Sequence, residues 1–102
     1  MHIAKGKLMY EFKAKVWQHS ATGGWFFVSV PDQVAIEIRS QIKWQEEGWG
    51  RLKARAKTKN TEWETALWFD TKLKTYLLPI KSTIRKKEGI LTNDVLLITI
   101  WV

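Results

Sequence analysis

A chain of 102 residues is one domain with a single modest core, and 45% hydrophobic with 26% charged residues marks a globular rather than a disordered protein. The absence of cysteine removes disulfides, thiolate nucleophiles and cysteine metal sites together, and no apolar run reaches the ~20 residues a membrane helix needs. A net charge of +7 points toward anionic partners, and seven Trp supply core filler, stacking platforms or interface anchors.

The opening "MHIAKGKLMYEF" lacks the apolar centre of a signal peptide, so a cytoplasmic location is expected, with residues 1–6 as a loose tail. From Leu8 the chain alternates. Leu8, Tyr10, Phe12, Ala14 and Val16 share one face, while Glu11, Lys13 and Lys15 share the other, the period of a half-buried strand. "HSATGG" turns the chain into "WFFVSV", a second strand and hairpin partner of the first.

Pro31 and Asp32 open a helix, because Pro has no N–H to lose in a first turn and Asp complements the dipole. Val34, Ala35, Ile38 and Ile42 form its apolar stripe. It is predicted to end between Trp44 and Glu47, with Trp44 stapling it to the sheet.

After Gly50 the alternation returns, Leu52, Ala54 and Ala56 facing one way and Arg51, Lys53, Arg55 and Lys57 the other. A turn centred on Lys59 and Asn60 sends "TEWETALWF" back as the partner strand. It sets Leu52 opposite Leu67, Ala54 opposite Thr65, Ala56 opposite Trp63, Arg55 opposite Glu64 and Lys57 opposite Glu62. Part of the basic row is therefore answered locally.

"TYLLPI" is a fifth strand, with Pro79 marking an end or an edge. Ser82 is expected to cap a short helix that stops at Gly89, a left-handed cap with Ile90 as its apolar contact. "VLLITIWV", apolar on both faces, is the final and central strand.

The predicted fold is mainly β: a small six-stranded barrel, closed or nearly so, with two short helices, in the order ββαβ-ββαβ of two interlocked halves. One domain fills residues 1–102.

The strings "GWFFVSVP", "GWGR", "TEWETALW", "YLLPIK" and "IRKKEGI", in this order, resemble the family called domain of unknown function 1905. That resemblance implies a bacterial or archaeal β-barrel domain and no established activity. The stretch "LPIKSTIRKKEGILTNDVLLITI" is also similar to swapped-hairpin DNA-binding antidotes and transition regulators, whose barrels are dimers. With both halves in one chain, a fused monomer or weak homodimer is expected.

No catalytic constellation emerges. His2 lies in the tail and His19 in a polar turn, neither beside an orienting carboxylate, and no metal-ligand spacing or phosphate loop is present. No cofactor or metal is implied, and the chain reads as a non-enzymatic binding module without membrane contact. The preferred site joins Trp25, Trp49, Arg51, Trp63, Lys81 and Arg85, because "GWGR" and "PIKSTIR" both lie where strand meets helix. Aromatic faces with Arg and Lys suit a small anionic or planar ligand, or a single nucleic-acid strand. The alternative is a protein-interaction or assembly domain anchored by exposed Trp and Arg.

Overall fold

The computed structural model describes residues 8–19 and 24–102, so the tail expected at 1–6 and the turn at 20–23 lie outside it. Seven strands form one sheet: β1 (Met9–Lys15), β2 (Trp17–Gln18), β3 (Phe26–Ser29), β4 (Arg51–Thr58), β5 (Thr61–Asp70), β6 (Thr75–Pro79) and β7 (Val95–Trp101). Helix α1 (Asp32–Ile42) follows β3, and α2 (Ser82–Glu88) follows β6. Every strand pair is antiparallel, in the order β1-β7-β4-β5-β6-β3-β2.

The mainly β class and the two helices are as expected; the closed six-stranded barrel is not. The sheet is a curled seven-stranded half-barrel. Its extra strand arises at Val16, fully buried, which splits the first extended segment in two. The N–H of Val16 donates to Asp94 O and its carbonyl accepts from Asn93 N, both outside the ladders. The piece before it pairs with β7 and the piece after it with β3, so consecutive segments sit at opposite edges of the sheet.

The pairing is unchanged when the halves are exchanged. Swapping β1 and β2 for β5, β3 for β6 and β4 for β7 turns the β1–β7 pair into β5–β4 and β2–β3 into β5–β6. The β3–β6 and β4–β7 pairs map onto themselves.

Alternation sorts each strand into two faces. The inner face carries Phe12, Val28, Leu52, Ala56, Trp63, Leu67, Tyr76, Leu78, Ile98 and Ile100, joined by Ala35, Ile38 and Ile42 of α1 and Ile84 of α2. The β4–β5 register matches the predicted one at every pair, from Leu52–Leu67 to Lys57–Glu62. Lys59 makes the turn with φ 51°, a left-handed conformation uncommon for a long side chain. Glu88 at the end of α2 braces it: its carboxylate accepts from Asn60 N and Thr61 Oγ1, and its carbonyl from Lys59 Nζ.

Three local expectations change. Lys81 occupies the N-cap of α2, and Ser82 is its first helical residue with no side-chain cap bond. Gly89 does take the left-handed cap (φ 65°), with Ile90 N donating to Arg85 O. Helix α1 ends at Ile42 in a 3-10 turn, and Trp44 there is 80% exposed rather than stapled to the sheet. Strand β7 is flanked by β1 and β4 as a central strand should be, yet Val95 and Leu97 on its outer face are exposed. Polar and apolar residues are both tolerated on a face that no second layer covers.

Candidate functional site

The outer face of β2, β3, β5 and β6 carries an aromatic cluster separate from the core. Phe27 on β3 and Leu77 on β6 point away from the core cluster yet are buried, which requires cover from outside. Trp17 supplies part of it: its ring lies 5.3 Å from Phe27, and its indole N–H donates to Ser29 Oγ at 3.0 Å. Trp25 supplies more, stacked on Phe27 at 6.1 Å and 18° between planes and tilted against Trp68 at 5.6 Å.

Trp25 reaches this position because Gly24 turns the chain with φ 90°, a conformation that costs glycine little. A Cβ at Gly24 would meet the Gln18 side chain at 3.1 Å. The His19 N–H donates to Trp25 O, so the indole extends from a tied backbone while remaining 49% exposed.

Beside Trp25 is a cavity of about 300 Å³ lined by Gly24, Phe26, Pro79, Ile80, Lys81, Ser82 and Arg85. Arg85 is fixed in its wall. The guanidinium lies over the Phe26 ring, 3.8 Å from its centroid, and Nε donates to Ile80 O at 3.2 Å. Such an arginine loses little freedom when it binds an anion. Neither Lys81 nor Arg85 has a carboxylate partner among the described residues. Trp68, which adjoins Trp25, carries Arg51 5.9 Å over its ring.

The basic row of β4 is different in kind. Arg55 takes both nearby carboxylates, pairing with Glu62 and lying 3.3 Å from Glu64. Its guanidinium is held above its ordinary pKa, first by the hydrogen bond to Glu62. Lys53 lies 3.8 Å from Glu47. Lys53 and Arg55 are thus answered by neighbouring acids, and Arg51 at the end of the row is the member that joins the aromatic cluster.

Of the six residues singled out from the sequence, Trp25, Lys81 and Arg85 line one cavity, and Arg51 adjoins it through Trp68. Trp63 does not join them. It is 7% exposed in the core, on the inner face of β5, whereas Trp68 lies on the outer face five residues on. The side chain of Trp49 lies outside the described residues. Sequence reasoning missed Trp68, Phe26 and Gly24. Alternation along "TEWETALW" already separates Trp63 from Trp68 and carried the signal for the first of these.

A second polar cluster lies under α1. The buried Tyr76 hydroxyl donates to Glu46 Oε2, Arg39 Nε lies 3.3 Å from the same oxygen, and the Arg39 guanidinium rests 3.7 Å over the Phe69 ring. Burial pushes the Tyr76 phenol well above its ordinary pKa, Glu46 adds to the shift and Arg39 opposes it. A phenol held protonated in this way is a fixed donor, which makes the cluster a clamp between α1 and β6. Among the described residues no group of three His, Cys, Asp or Glu is placed to hold a metal ion, and no helix is long and apolar enough to cross a membrane.

The fold is a curled β half-barrel with a helix after β3 and another after β6, and it carries an aromatic and cationic cavity beside the second helix. The chain matches the family model described as "Domain of unknown function (DUF1905)" over residues 12–100, and it belongs to that family. No curated protein matches it.

Proposed function

We propose that this domain is a non-enzymatic binding module whose ligand combines a planar ring with an anionic group. The observation that supports this reading most is the half-exposed Trp25 beside a cavity walled by Lys81 and the fixed Arg85. The indole offers a stacking face, and the two cations offer the charge and hydrogen-bond donors that a phosphate or carboxylate takes. A nucleoside monophosphate has this chemistry and fits a site of this size.

The test is a tryptophan-fluorescence titration with thymidine 5′-monophosphate, repeated with Lys81→Ala and Arg85→Ala. Quenching that saturates in the parent chain and weakens at least tenfold in either variant supports the reading. Equal signals in all three chains would refute it.

A second reading, a protein-interaction domain, is favoured by Trp44, which projects from the turn after α1 with 80% of its surface exposed. A mass in solution that rises with concentration, and that Trp44→Ala returns to the monomer value, supports it.

A further inference from the structure

The site has more parts than one planar anion uses. A single nucleotide engages one stacking ring and one group of cations, and Trp25 with Lys81 and Arg85 already supplies both. Beyond Trp25 the arrangement continues: Trp68 adjoins it at 5.6 Å, and Arg51 stands over Trp68 at 5.9 Å. Two adjacent indoles thus connect the Lys81 and Arg85 pair to Arg51.

Two features limit the path. Past Arg51 the positive charge is offset, because Lys53 faces Glu47 and Arg55 holds Glu62 and Glu64, two acids whose charge also offsets Lys57 across the ladder. Trp63, the next Trp along β5, is on the inner face and unavailable. A longer ligand therefore finds aromatic surface and free positive charge from the cavity to Arg51 and little further on.

We infer that the ligand is a short run of single-stranded nucleic acid, two to three nucleotides long. One base stacks on Trp25 and the next on Trp68, with phosphates held at Lys81 and Arg85 on one side and at Arg51 on the other. Stacked bases contribute whatever their identity, so the site is tolerant of sequence. The inference rests on the reading of the Trp25 cavity and adds Trp68 and Arg51 to it.

The experiment compares thymidine 5′-monophosphate, a thymidine trinucleotide and a thymidine octanucleotide by tryptophan fluorescence at several salt concentrations. The trinucleotide is expected to bind at least ~10-fold more tightly than the mononucleotide, since each added stacked base contributes appreciably. The octanucleotide gains little more per binding site. The trinucleotide affinity falls as the salt concentration rises, as expected where cations hold its phosphates.

Arg51→Gln, a change at an exposed side chain, is expected to weaken trinucleotide binding several-fold and to flatten its salt dependence, while leaving mononucleotide binding intact. Trp68→Leu does the same if the fold survives, and Arg51→Gln decides if it does not. Equal affinity for mono- and trinucleotide, or no effect of Arg51→Gln on the trinucleotide, overturns the inference and leaves the Trp25 cavity reading standing. Failure of the mononucleotide itself to bind, with trinucleotide binding indifferent to Lys81→Ala and Arg85→Ala, overturns both.

Discussion

Tyr76 on β6 donates its buried hydroxyl to the carboxylate of Glu46, thirty residues earlier in the turn that follows α1. With Arg39 on the same oxygen, this bond ties helix, turn and sheet together. Tyr76→Phe removes the donor and leaves a little-exposed carboxylate with Arg39 alone. It is expected to cost about 1–3 kcal/mol, as for other buried hydrogen bonds broken from one side. Urea denaturation measures it, with an unchanged slope showing that the fold is kept.

The same phenol contributes to stability at alkaline pH. Tyr76 is raised above its ordinary 10.0 by burial first and Glu46 second, and Tyr10 is raised by burial and then by Glu37. The folded chain therefore keeps protons that the unfolded chain releases. Stability from these groups is full below about pH 10 and is lost as the pH rises above it. Thermal melts from pH 8 to 11 are expected to show this fall, and Tyr76→Phe to flatten it, with the contribution of Tyr10 remaining.

Gly50 enters β4 with φ 72°, and a Cβ there would lie 3.2 Å from the Cβ of Phe69. Gly50→Ala thus combines an unfavourable backbone with a contact that neither side can easily relieve, at about 1–3 kcal/mol. Gly48→Ala, with nothing within 4 Å and no positive φ, is the matched control and is expected to leave the melting temperature within a few degrees.

Trp63 fills the core, but its indole N–H has no hydrogen-bond partner among the described residues. Trp63→Phe removes that unsatisfied donor and keeps most of the apolar volume, so a modest change in stability is expected. Trp63→Ala opens a cavity and is expected to cost about 3–5 kcal/mol by chemical denaturation. Neither change acts on the outer face, so Trp63→Phe leaves nucleotide titrations as they are.

Alternation makes most of the sheet legible in the sequence. The β4–β5 register could be set from Lys59 and Asn60 because one face of each strand is apolar, and a slip of one residue would expose it. Gly89 and Pro79 were legible for a similar reason, since each residue permits few conformations. The break at Val16 was not. Val16 continues the alternation perfectly, and only the competing bonds to Asn93 and Asp94, some eighty residues on, divide the strand. The site was partly legible: Trp25, Lys81 and Arg85 stood out by their place at strand and helix junctions. Trp63 fits a core position as well as the candidate site, and the structure places it in the core, whereas alternation along β5 sets Trp68 on the opposite face. The anchoring expected of Trp44 falls instead to Glu46, the acid tying the turn to β6 and the indole standing exposed.

The exchange-invariant pairing also governs how the chain must assemble. Strand β3 finds β6, and β4 finds β7, only across the midpoint of the sequence, and β1 waits for β7 at the other end. A chain cut between β4 and β5 separates most of these partners, so each fragment alone is expected to lack the folded signal by circular dichroism and the mixture to regain it. In the intact protein, the long loops that must close before the sheet exists favour slow, all-or-none folding over stepwise growth from one terminus.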